Sequence, residues 1–199
     1  IFYNEENYKY FRKKFAEYIS PIADTFAYCL MPNHFHFLIK IKSEMEIFDF
    51  WNKRNITPSR NLSLEEFKKF NVEEVNAILS KQFSNFFNGY SQAINKQESR
   101  TGSLFQKAFR KKEIDSEKYL KKVILYIHLN PIEHGFVKKM KEWNNSSYSS
   151  ILSNSDPLIR SKDVIDIFED IDNFQQMHYD NNLINLVEDL KEPLLGLIE

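Results

Sequence analysis

"TFAYCLMPNHFHFLIKIK", residues 25–42, holds two apolar runs rich in strand-forming residues on either side of Pro32-Asn33. Runs of that kind around a tight-turn pair read as an antiparallel hairpin. Side chains alternate faces along a strand, so His34 and His36 share one face, while Phe35 and Phe37 point to the other, into a core. Two imidazoles on one sheet face can hold a divalent metal. They can equally be polar residues on a solvated face, and for an isolated His-x-His that blander reading has the better odds.

The flanks extend the hairpin into an α+β order. Residues 4–20 ("NEENYKYFRKKFAEYIS") have a capping Asn4, acidic Glu5 and Glu6, and Tyr8, Phe11, Phe15 and Ile19 at helical spacing. Residues 43–72 are polar and mixed, and read as an insertion with short helical pieces. A long helix is expected over about 73–97, broken by "SRTGS" (99–103), and residues 104–114 read as a loop leading into a strand. Residues 115–130 form another helix, capped by Asp115 or Ser116 and ended by Pro131. "NNSSYSS" (144–150) reads as a polar loop, and the rest as small helices. The order helix, strand, strand, helix, strand, helix predicts an α+β domain with helices packed on one face of a small antiparallel sheet.

Composition bounds the function. The chain has 199 residues, 42% hydrophobic, enough for a packed core in one domain with an appendage. Only 4 glycines make a glycine-rich nucleotide fold a poor fit. The single Cys29 excludes an internal disulfide framework and fits a cytoplasmic protein. No stretch approaches the roughly 20 apolar residues of a membrane span, and no signal-peptide pattern is visible. Net charge is −1, unevenly divided. Residues 1–153 carry 24 bases and 17 acids, net +7, and residues 154–199 carry 3 and 11, net −8. The expected division is a basic body, 1–153, and an acidic, helical C-terminal region, 154–199.

The helix "VILYIHLNP" (123–131) places Tyr126 and Asn130 four apart on one face, with His128 pointing away from it. Taken singly, a tyrosine there is a core aromatic and an asparagine before proline a helix-end residue. Upstream, "KAFRKKEIDSEKYLKK" (107–122) gathers Lys107, Arg110, Lys111 and Lys112 ahead of that helix, interleaved with phenylalanine. Charge for phosphates beside rings for bases suits a single strand of nucleic acid. Lys118, Lys121 and Lys122, on the helix itself, read as solvated.

"AYCLMPNHFHFLI", "GSLFQKAFRKKEI", "YLKKVILYIHLNPIEHGFV" and "WNNSSY", in that order, resemble the single-tyrosine HUH transposases, in particular the REP-associated tyrosine transposases. The likeness covers roughly residues 1–150. It implies a ferredoxin-like fold, although only "IFY" precedes the first helix where that fold has a strand. It implies that His34, His36 and Asn130 bind Mg²⁺ or Mn²⁺ and that Tyr126 is the nucleophile. It also implies that single-stranded, hairpin-bearing DNA is cut and rejoined through a 5′-phosphotyrosine, by a monomer or a homodimer. Two other readings remain: a replication initiator or relaxase with the same chemistry, and a non-catalytic DNA-binding protein. A metallo-hydrolase of the HxHxDH kind is disfavoured, since Phe37, Leu38 and Ile39 directly follow His36.

Overall fold

The computed structural model describes residues 1–54, 63–70, 72–105 and 112–180, with Asn185, Val187 and Leu190 beyond them. Helix α1 (Glu5–Tyr18) starts where the Asn4 side chain accepts from the backbone N–H of Asn7 at 3.1 Å. Strands β1 (Ala23–Leu30) and β2 (Phe35–Ile41) pair as the hairpin, and the turn is closed by Met31 N–H donating to His34 C=O at 2.8 Å. The insertion contains α2 (Glu44–Arg54) and the one-turn α3 (Leu64–Phe67), whose Ser63 and Glu66 cap each other reciprocally. Helix α4 spans Val72–Gln97, and the chain leaves it with Ser99 and Gly102 at φ of 50° and 89°.

Most of the strand expected within 104–114 falls on residues 106–111, outside the described residues; residues 112–116 form no strand. Helix α5 (Glu117–Glu133) begins at Ser116, whose hydroxyl accepts from Tyr119 N–H. It continues through Pro131 instead of stopping before it. A proline there forfeits one bond to the carbonyl four residues back, but His134 N–H still reaches Asn130 C=O at 3.0 Å and keeps the last turn closed. A 3₁₀ turn at Met140–Glu142 follows, then α6 (Tyr148–Ser153), α7 (Ser161–Ile167) and α8 (Ile171–His178).

The segment read as a polar loop is only partly one. Leu30 N–H donates to Asn145 C=O at 2.8 Å and Ser147 N–H to Tyr28 C=O at 3.0 Å, an antiparallel bridge on the edge of β1 away from β2. Farther along, Thr25 bridges Ile159 in parallel. Single bridges thus line an edge that a regular sheet would fill with another strand.

The described residues divide into two compact units. One comprises those of 4–24 and 40–106. In it α1 packs on α4 through aromatic rings: Phe11 meets Phe86 and Tyr90 edge-on, each at 4.8 Å between ring centres. A second cluster gathers Ile47, Phe48, Phe67 and Ile78 from α2, α3 and α4. The other unit comprises the described residues of 1–3, 25–39 and 107–199. Its core holds Tyr28, Phe35, Phe37, Val123, Ile124, Ile127, Tyr148, Val164, Phe168 and Phe174, all buried. Phe35 and Phe37 therefore lie in the core, as alternation predicts. The acidic region contributes three of these side chains, from α7, α8 and the turn between them.

Candidate active site

His34 ends the turn and His36 is the second residue of β2, two positions on, and their rings meet edge-on with centres 5.1 Å apart. Helix α5 covers the face they share. The ring of Tyr126 lies 5.6 Å from that of His36, at 80°. His36 is 2% exposed, so it is not a polar residue on a solvated face. Tyr126, at intermediate exposure, borders it.

Asn130 decides what the face offers. Its amide nitrogen donates to the Tyr126 carbonyl at 2.8 Å, which fixes the rotation of the amide, since only the N–H₂ end can donate to a carbonyl. The oxygen must then face the other way, where Oδ1 is buried without a hydrogen-bond partner. Both ring nitrogens of His36 are likewise buried and unpartnered. Asn130 favours the charged form of His34 and of His36, which places its amide beside both rings, although no bond of ordinary geometry joins them. His34 Nδ1 lies 2.8 Å from Asn33 Oδ1. An acceptor there assigns the proton to Nδ1 and leaves Nε2 a lone pair.

The imidazoles are held neutral. Burial, then the charges of His34 and His134, push His36 down to about 3. Burial and His134 lower His34 as well, with Asn130 opposing. Neutral imidazoles and an open amide oxygen are the forms in which these groups bind a metal. Buried polar atoms without partners are costly in a folded protein, and a divalent cation would satisfy His36 and Asn130 together. The residues fit such an ion. Among the described residues no three His, Cys, Asp or Glu side chains gather as a ready cage. The donor set here is two imidazoles and an amide, which leaves coordination positions for outside ligands.

His134 is the residue that the sequence reading missed. Its ring lies 5.0 Å from that of His34. The signal was its spacing, four beyond Asn130 and eight beyond Tyr126, on the same helix face.

The back of α5 is pinned by a chain of hydrogen bonds whose protons can be assigned. His178 Nδ1 faces the Phe174 carbonyl at 2.6 Å and must donate to it. Its Nε2 therefore accepts, and His128 Nδ1–H donates to it at 2.8 Å. His128 Nε2 then accepts from the Ser147 hydroxyl at 2.8 Å, and that oxygen accepts from Tyr28 N–H at 2.9 Å. Four segments, β1, the turn before α6, α5 and α8, are tied through this buried line. His128 points away from Tyr126, as its spacing predicts.

Of the expected basic contacts, Lys107, Arg110 and Lys111 lie outside the described residues. Lys112 is exposed, and its amine sits 4.6 Å from the ring centre of Tyr119, a cation–π contact. Among the described residues no helix is long and apolar enough to cross a membrane.

No family model matches the chain, and no solved structure matches it. The chain is similar to a Haemophilus influenzae protein described as "Putative REP-associated tyrosine transposase", with 24% identity over 125 residues. The matched stretch is 63% of this chain and 58% of that protein's length.

Proposed function

We propose that the chain is a metal-dependent DNA transposase of the single-tyrosine kind, which nicks and rejoins single-stranded DNA through Tyr126. The observation that carries this reading is the unpartnered Asn130 oxygen, turned away from the Tyr126 carbonyl and set beside His34 and His36. A buried oxygen without a partner is costly in a folded protein, and a cation bound beside His34 and His36 would offset that cost. The similarity to the Haemophilus protein supports the same class.

His34 Nε2, a nitrogen of His36 and Asn130 Oδ1 would hold Mg²⁺ or Mn²⁺. Bound there, such an ion would supply Lewis-acid chemistry, polarising the scissile phosphate and stabilising charge on the departing oxygen. Tyr126 supplies the nucleophile. A phenol is a weak one at neutral pH, with a usual pKa of ~10, so its position beside the phosphate matters as much as its basicity. The phenolic oxygen attacks phosphorus, the bond to the 3′-oxygen breaks, and its electron pair leaves on that oxygen. The phenolic proton passes to solvent and the 3′-oxygen takes one up. The new tyrosyl phosphodiester keeps the energy of the broken bond, so a second 3′-hydroxyl can attack it, release Tyr126 and seal a strand. Helix α5 holds Tyr126 and Asn130 in fixed relation, and the hydrogen-bond line behind it limits its rotation. The substrate is a single strand carrying hairpin or inverted-repeat ends, bound by one copy of the chain or two.

The test is a denaturing gel of 3′-labelled single-stranded DNA with Mn²⁺. The labelled fragment should migrate with the protein in the wild type and stay free in Tyr126→Phe. An adduct in the variant would assign the nucleophile elsewhere. DNA binding without any adduct in the wild type would favour a non-catalytic binding protein.

A further inference from the structure

We propose that Phe136 and Trp143 form a stacking platform for a nucleobase next to the Tyr126 site, with Lys138, Lys139 and Lys141 neutralising the adjoining phosphates. This rests on the reading of the chain as an enzyme of single-stranded DNA.

Phe136 is 49% exposed, one of the few large apolar side chains left in water among the described residues. Single exposed rings are ordinary on protein surfaces. This one is held in place from several directions. Gly135 takes φ +72°, and the backbone N–H of Phe136 returns to the Pro131 carbonyl at 2.9 Å, which sets the ring just beyond the end of α5. Its ring rests against Trp143, with centres 5.4 Å apart. Trp143 is anchored in turn: its indole N–H donates to the Leu30 carbonyl at 3.1 Å, and its backbone N–H to Met140 C=O at 3.1 Å. The pair is therefore preformed, and a ligand stacking on it orders little that is loose.

Position and charge name the ligand. Phe136 follows His134 by two residues, and His134 lies against His34. Leu30, which holds Trp143, ends the strand that turns into His34. Both halves of the platform are thus tied to the two elements that carry the candidate site. Lys138, Lys139 and Lys141 are exposed within the same short segment. Glu142, also exposed, accepts from the backbone N–H of Lys138 and of Lys139 at 3.1 Å each, and its single carboxylate is outnumbered by the three lysine amines of residues 136–143. A rigid ring in a cationic rim fits a strand of bases and phosphates. An apolar peptide would gain nothing from the rim, and a duplex would keep its bases stacked within itself.

The experiment measures anisotropy of a fluorescein-labelled single-stranded oligonucleotide, with all variants made in the Tyr126→Phe background so that no strand is cut. Phe136→Ala should weaken binding by about 5- to 100-fold, and Phe136→Trp should restore it. Phe136→Leu, apolar but without a π face, should behave as alanine does. Replacing Lys138 and Lys139 by Gln should flatten the salt dependence. Binding that is equally tight in the parent and in Phe136→Ala overturns the platform and leaves the DNA reading standing. Wild-type-like binding by Phe136→Leu overturns stacking as the interaction. No binding of single-stranded DNA by the parent overturns the DNA reading itself.

Discussion

The amide nitrogen of Asn130 donates to the carbonyl of Tyr126 at 2.8 Å, one turn back along α5. That bond orients the Asn130 oxygen toward the two hairpin imidazoles and braces the residue that carries the candidate nucleophile. Asn130→Ala removes both effects. It should lower DNA cleavage by about 100-fold or more while the far-UV circular dichroism stays unchanged. It should also reduce the rise in Tm that Mn²⁺ gives the wild type by mass action. An unchanged response to Mn²⁺ would remove Asn130 from the ligand set.

His34→Ala separates metal binding from folding better than a change at His36. His34 is partly exposed and sits at the turn, whereas His36 is buried inside β2. Cleavage should be lost and the melting temperature, measured with EDTA present, should stay within a few degrees of wild type. A large drop in Tm under EDTA would mean that His34 is structural.

Stability should fall with acid through the buried histidines behind α5. Burial pushes His178 down to about 4, and His128 is lowered by burial and by His178. In the unfolded chain both titrate near the ordinary 6.5. The unfolded state therefore binds protons first as pH falls. Stability from His178 is complete above about 6.5 and is lost between there and about 4, and His128 adds to the decline below about 6.5, at up to ~1.4 kcal/mol per pH unit for each group. Thermal melts across that window should show the decline, and His178→Phe should flatten it. That variant also leaves His128 Nδ1–H without its acceptor, at a cost of about 1–3 kcal/mol. An equal acid slope in wild type and variant would exclude His178 as a source.

Ser147→Ala tests whether the hydrogen-bond line positions α5. The hydroxyl serves Tyr28 N–H and His128 Nε2 together, and its loss should cost about 1–3 kcal/mol in denaturant unfolding. If the line also holds Tyr126 in register, adduct formation at saturating DNA should slow while the DNA affinity stays the same. A change in stability alone would limit the line to a structural role.

Phe174→Ala addresses the acidic C-terminal region. Phe174 is fully buried, with its ring 5.8 Å from that of Tyr148 and 5.1 Å from that of Phe168. The substitution should destabilise its unit by about 3–5 kcal/mol. A loss below about 1 kcal/mol would show that α8 is dispensable to that core.

Much of this protein is legible in its sequence, because the signals are local. The caps at Asn4 and Ser116, the Pro32-Asn33 turn, the two-residue period that sends Phe35 and Phe37 to the core, and the four-residue period that aligns Tyr126 with Asn130 each depend on a few neighbouring residues. Tertiary structure decided the rest, because it depends on which distant segments meet. Whether the His34/His36 face would lie in water or under a helix depended on α5 crossing it. The direction of the Asn130 oxygen depended on a hydrogen bond, and no periodicity encodes that. The acidic run after residue 153 reads as an auxiliary helical region because its charge dominates its composition. Its Phe168, Phe174 and His178 are sparse, and they become core only when Tyr148 and His128, far back in the chain, supply the surface they fill. Burial is a property of the assembled chain: the sequence determines which side chains can leave water, and packing determines which of them do.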